Sequence, residues 1–255
     1  MPEPQVAGGP LSPKPGAEPD AAPPRGFWAY LRHRHDPLTS LVLTVPIFLL
    51  YHLGILLIDL RNGVDLVSEL TFALLEQSVL AYVGVTLGIA AALFGAGWWM
   101  RKSGRIRPAR LLPVLGESAI LAVLMMLTVG WATGQVFANQ IGGRSLNVLE
   151  KLVMAAGAGF HEELVFRVGL FAGGVFLLTK TKRLGEWGAF AVAALASSLV
   201  FSAVHYVGSM SDDFTLVSFT FRTLAGLFLV GVYRLRGFAV AVYTHTLYDV
   251  LVFFF

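Results

Sequence analysis

Residues 159–169 read GFHEELVFRVG and set Glu162, Glu163 and Arg167 inside an otherwise apolar run, 146–179. A charged residue at the centre of a membrane-spanning helix costs about 2.5–3.5 kcal/mol on insertion-based scales, so this stretch demands compensation. Spacing supplies part of it. Glu163 and Arg167 lie four apart with the acid N-terminal, which puts them on one helical face as an ion pair. Glu162 is turned about 100° away on an α-helix and is the carboxylate left over. Two later apolar segments carry imidazoles. SSLVFSAVHYVG contains His205, four residues after Phe201, and AVYTHTLYDVL contains His245 and Asp249, again four apart on one face. A carboxylate and an imidazole converging on one water can remove its proton. A second imidazole with a polar neighbour can stabilise the oxyanion on an attacked carbonyl. Together these describe peptide hydrolysis inside a membrane.

The same residues offer a second chemistry. Glu162, His205 and His245 are possible ligands of a zinc ion, although HEELV is not the HExxH signature because Val165 stands where its second histidine would be. A reading without chemistry, an ion pair plus one solvated glutamate in a water-filled vestibule, uses the first stretch alone and leaves the two histidine segments unexplained.

The elements that must position these groups are read from composition. Of 255 residues, 56% are hydrophobic and 14% charged, against a usual charged share of about 25% in soluble domains. Seven segments reach the roughly 20 apolar residues that cross a hydrocarbon core as a helix: 38–58, 79–100, 111–137, 146–179, 187–206, 214–233 and 237–255. The expected fold is all-α, a polytopic transmembrane helical bundle. The connection 59–78 includes VSELTFALLEQS and reads as a short surface helix. Counting about 1.5 Å per residue from the ends rich in positive charge, Glu162 and His205 fall at matching depths, with His245 and Asp249 lower. With no cysteine in the chain, disulfides, thiolate metal sites and cysteine nucleophiles are excluded.

Residues 1–24 hold eight of the twelve prolines and almost no large apolar side chains, the composition of a disordered tail. RGFWAYLRHRHD, 25–36, mixes aromatics with Arg25, Arg32 and Arg34, as an interfacial helix on anionic lipid or an exposed basic linker would. The loops alternate in sign: RKSGRIRPAR carries five positive residues, KTKRLGE is net positive and YRLRG adds Arg234 and Arg236, whereas 59–78 and SMSDDF are net acidic. By the positive-inside rule the N-terminus is cytoplasmic and the site opens towards the outer half of the membrane. A net charge of +3 implies no nucleic-acid partner.

In order along successive apolar segments, EELVFR fits EExxxR, FSAVH fits FxxxH and HTLYD fits HxxxN/D. This set resembles the CPBP family of intramembrane endopeptidases, which includes type II CAAX prenyl endopeptidases and bacteriocin-processing or bacteriocin-immunity proteins. The resemblance covers roughly 111–255, and divides the chain into a tail and interfacial segment (1–36), N-terminal transmembrane helices (37–110) and a protease core (111–255). It implies that Glu162 and His205 activate water, that His245 and Asp249 build the oxyanion site, and that Glu163 and Arg167 shape it. Asp249 stands where asparagine is common; a carboxylate is a poor oxyanion donor unless protonated, so it can instead orient His245 or pair with a cation such as Arg222. The family is described both as metallopeptidase and as metal-free glutamic peptidase; no cofactor is expected, with zinc as the alternative. The implied partners are the bilayer and a peptide or protein substrate, prenylated or bacteriocin-like.

Two other classes use similar residues. A proton-coupled transporter needs buried Glu and His as a relay, but the internal repeats common in transporters are not evident. A non-catalytic immunity or scaffold protein would keep the site without cleaving. His52, Glu76, Glu117, Gln135 and Asn139 read as interfacial or helix-packing residues, and His161 as lining.

Overall fold

The computed structural model describes residues 37–58, 60–65, 74, 78–102, 111–134, 145–181, 184–207 and 211–254. Over these the chain is all-helical: α1 (Pro37–Leu43), α2 (Val45–Gly54), α3 (Val79–Lys102), α4 (Leu111–Thr133), α5 (Val148–Gly157), a π-helical segment (Ala158–Ala172), α6 (Gly173–Lys180), α7 (Glu186–Val204), α8 (Leu216–Arg236) and α9 (Phe238–Phe254). The expected tail and interfacial segment lie outside the described residues, as do Glu76, Gln135 and Asn139.

Of the seven expected crossings, length and composition support four to five. Among the described residues, α3, α4, α7 and α8 are long and apolar enough to span, and α1 with α2 makes a fifth if that pair, bent by 46°, is a single span. The other two runs differ from a plain spanning helix. Run 146–179 is divided into α, π and α sections, with its buried polar residues in the middle. The last helix has 17 residues, about 25 Å of rise against a hydrocarbon core of about 30 Å.

That short helix is the centre of the bundle. Phe238 through Thr246 are all buried, the pattern of a helix enclosed on every side rather than striped. It packs on α4, on α5 and the π-helical segment, on α8 and on α1. One residue, Gly237 at φ 95°, separates it from α8. That left-handed conformation costs glycine nothing and other residues much. Arg236, the last residue of α8, reaches Glu117 of α4 through Nε at 2.5 Å and Nη2 at 3.0 Å, so Glu117 is a helix-packing residue as expected. The run 148–180 begins with a capping box: Asn147 Oδ1 accepts from the Glu150 amide at 3.0 Å, and Glu150 accepts from the Asn147 amide at 2.8 Å. Such reciprocal bonds satisfy donors that a helix start otherwise leaves open.

The connector before the expected surface helix turns part of itself inward: Arg61 and Gly63 are exposed, and VSELTFALLEQS lies mostly outside the described residues. Asn62 and Asp65 are buried, and the Asn62 side chain accepts from the Val64 amide at 3.0 Å, closing a turn that dips into the bundle.

The π-helical segment and α9 meet at Gly159. A Cβ there would overlap Thr246 Oγ1 and lie 2.8 Å from the Val242 carbonyl oxygen and 2.9 Å from the Thr246 nitrogen. The side chain can rotate away; the two backbone atoms cannot. Gly159→Ala is therefore expected to destabilise the protein by about 1–3 kcal/mol or more, measured as a fall in thermal unfolding temperature in detergent. Gly84→Ala, with nothing within 4 Å of the added carbon, should leave it unchanged.

Candidate active site

The three motifs converge. Glu162, Glu163 and Arg167 come from the π-helical segment, Phe201 and His205 from the end of α7, and His245 and Asp249 from α9. Glu163 is at the hub and fully buried. Its Oε2 lies 3.1 Å from Arg167 Nε, and its Oε1 accepts from His245 Nδ1 at 2.8 Å. The expected Glu163–Arg167 pair is present. Arg167 is itself enclosed, and its guanidinium sits 4.5 Å above the Phe201 ring. Both Nη atoms lack hydrogen-bond partners among the described residues, so the ring face carries part of the charge compensation.

Glu162, the carboxylate outside the Glu163–Arg167 pair, reaches the same imidazole. Its Oε2 lies 3.8 Å from His245 Nε2, so one imidazole is flanked by both glutamates. Asp249 Oδ2 also lies 3.8 Å from His245 Nε2. Both separations exceed a direct hydrogen bond.

His205 caps α7 rather than standing within it, and is half-buried. Its Nδ1 donates to the Phe201 carbonyl oxygen at 2.8 Å. That bond fixes the ring, with Nε2 as its second nitrogen. The Phe201 ring contacts His205 and His245, with centroids 5.1 and 5.9 Å away. The aromatic residue of FxxxH thus wedges the arginine and both histidines into one arrangement.

Arg222, a candidate partner for Asp249, is engaged elsewhere. It pairs with Asp212 at 2.5 Å, donates to Tyr206 Oη at 2.9 Å and contacts Ser218 Oγ. The Asp212 amide in turn donates to the His205 carbonyl oxygen at 2.9 Å. Arg222 therefore ties down the turn that follows His205.

Asn62 is the residue that motif reasoning missed. Its Nδ2 donates to Glu162 Oε1 at 2.8 Å, and its amide donates to Tyr51 Oη at 2.9 Å. Asn-Gly, a turn signal in an acidic connector, was the trace available in sequence, and nothing in it points inward. His161, expected to line the site, faces the opposite neighbours, with Asp65 3.4 Å away and the His52 ring centroid at 5.1 Å.

Among the described residues, the group of three His, Asp or Glu whose ligand atoms lie within 4.8 Å of one another is His52, Asp65 and His161. Glu162, His205 and His245 are not gathered to that spacing.

Residues 144–251 match the family model described as type II CAAX prenyl endopeptidase Rce1-like. The match supports the CPBP resemblance over this segment. The match lies within the expected core, contains every motif residue from Glu162 to Asp249, and excludes Tyr51, His52, Asn62 and Asp65. No curated protein and no solved structure matches the chain. With the apolar helices, the CPBP match supports an integral membrane protease of the CAAX type in general terms.

Breaking the hub has a defined cost. Arg167→Met leaves the Glu163 charge buried without its cation, and is expected to destabilise the protein by about 3–5 kcal/mol. Glu163→Gln together with Arg167→Met should recover part of that loss. Thermal or denaturant unfolding of the detergent-solubilised variants reads both.

Proposed function

We propose that the protein is an intramembrane endopeptidase of the glutamic type, hydrolysing a peptide bond of a membrane-associated peptide or protein, with a prenylated substrate as one class it could take. The observation that carries this reading is the setting of Glu162. It is a buried carboxylate, held through one oxygen by Asn62, with its other oxygen towards His245, whose ring packs on Phe201 as that of His205 does. The π-helical segment and α9 thereby meet at one potential base, with the end of α7 packed beside them.

In this mechanism Glu162 removes a proton from water as the water oxygen attacks the scissile carbonyl carbon. His205, its Nδ1–H committed to Phe201, orients that water through Nε2. The carbonyl electron pair moves to oxygen, and in the imidazolium form His245 offers its Nε2–H to the resulting oxyanion while Nδ1–H donates to Glu163. Collapse of the intermediate restores the carbonyl and breaks the carbon–nitrogen bond. The proton held by Glu162 passes to the leaving amine. Asp249 orients His245, and Glu163 with Arg167 holds its ring in place.

Glu162→Gln and His205→Ala are each expected to lower cleavage by at least about 100-fold, the low end of a positioned base's contribution, with folding in detergent preserved. Retained cleavage by either purified variant sinks the assignment. A substrate is found by comparing membrane and secreted peptides from cells carrying the wild-type chain or Glu162→Ala.

The charge pattern of the loops supports a cytoplasmic N-terminus. Single cysteines replacing Ser211 and Lys180 in this cysteine-free chain should react with a membrane-impermeant thiol reagent from the outer and the cytoplasmic side respectively. The opposite labelling pattern reverses the topology.

A further inference from the structure

Directly behind Glu162 lies a second group of polar side chains that the hydrolytic reading does not use. His52 of α2, Asp65 of the connector and His161 of the π-helical segment are each 1% exposed. One ligand atom from each lies within 4.8 Å of the other two. His161 Nε2 is 3.4 Å from Asp65 Oδ1 and makes no hydrogen bond among the described residues. A gap of that size is long for a charge-assisted hydrogen bond. It equals the edge of a tetrahedron whose centre-to-ligand bonds are about 2.0–2.1 Å, roughly 3.4 Å, the bond lengths that histidine nitrogen and carboxylate oxygen make to zinc.

The surrounding groups hold the cluster as ligands are held. Tyr51 Oη donates to Asp65 Oδ2 at 2.8 Å, on the oxygen not directed at His161. His52 Nδ1 is 2.6 Å from Tyr82 Oη. A contact through the second ring nitrogen or second carboxylate oxygen is what fixes ligand orientation around metals. Two imidazoles and one carboxylate in a buried site match the preference of a borderline divalent cation, a bound water would complete four-coordination, and a dication would compensate the buried carboxylate.

We propose that His52, Asp65 and His161 bind one divalent transition-metal ion of the zinc class, at a site separate from Glu162, His205 and His245. Its role is structural. It pins α2 and the 60–65 turn to the π-helical segment, and Tyr51, which touches both Asp65 and Asn62, passes that restraint to the residue holding Glu162. Chelator sensitivity of the protein then arises without a metal at the attacking water. Metal binding here does not depend on the proposed peptidase activity.

The test uses the full chain in detergent with any affinity tag removed, loaded with Zn²⁺ or Co²⁺ and dialysed. One ion per chain by elemental mass spectrometry is expected, with visible Co²⁺ bands of a four-coordinate site. The chain has six histidines. A variant with glutamine at His33, His35, His205 and His245 retains two of them, His52 and His161, and should still bind one zinc ion, with two imidazole nitrogens by X-ray absorption. His161→Gln or Asp65→Asn should weaken binding at least tenfold. No stoichiometric metal in the wild-type chain, loss of metal in the four-histidine variant, or fewer than two imidazoles in its zinc shell overturns the proposal. Metal content of the wild-type chain decides the proposal without any variant, and the four-histidine variant, which removes His245 from the Glu163 hub, is read only in preparations whose circular dichroism and gel-filtration profiles match the wild type.

Discussion

The rest of the site depends on the fully buried carboxylate of Glu163. It stands between a guanidinium that is also buried and an imidazole on another helix, at 3.1 and 2.8 Å. In a low-dielectric interior none of the three can be left alone without a cost of several kcal/mol. Their mutual satisfaction fixes how the π-helical segment meets α9. Gly159 sets the distance between those two backbones, and the Glu163–His245 bond helps set their register. A buried charge pair is weak evidence for stability, since apolar packing can do as well. What it supplies here is orientation: His245 can turn neither nitrogen freely while Nδ1 is committed to Glu163.

With that ring fixed, the remaining groups fall around it. Phe201 contacts the rings of His205 and His245 and bears the Arg167 charge on its face, so α7 is positioned by packing on the same unit. Arg222 secures the turn beyond His205 through Asp212. From the other side the 60–65 turn delivers Asn62 to Glu162. The N-terminal helices are thus part of the site geometry, although the family match begins at residue 144.

Much of this was legible in the sequence because it follows from helical periodicity. The Glu163–Arg167 pair and the His245–Asp249 proximity are i, i+4 relations, and charged residues in apolar runs announce their need for partners. Glu162 stays outside the Glu163–Arg167 pair, as the spacing implies, and its nearness to His245 follows from the tertiary approach of α9. The role of Asn62 was hidden: a turn residue has no periodic signal, and its inward direction is set by tertiary contacts to Tyr51 and Glu162. Arg222 was matched to Asp249 by depth alone, whereas the acidic loop before α8 supplied a nearer carboxylate. Hydropathy also registers an apolar run without distinguishing lipid from protein as its surroundings. The last helix, buried along most of its length, shows the difference.

Consecutive residues on the π-helical segment serve different neighbours, and this limits how the polar interior can be divided. His161 faces Asp65 and His52, Glu162 faces Asn62 and His245, and Glu163 faces His245 and Arg167. A displacement of the backbone that improves one set moves the others, because all three side chains leave the same turn. The Tyr51 hydroxyl adds a second link, donating to Asp65 while receiving the Asn62 amide. Substitutions in the His52–Asp65–His161 group therefore act on Glu162 through geometry as well as through charge. Activity alone cannot separate a metal that holds this scaffold from one that touches the reacting water. Binding measured in chains where only one of the two histidine pairs survives can separate them, since the pairs occupy different sides of the same turn.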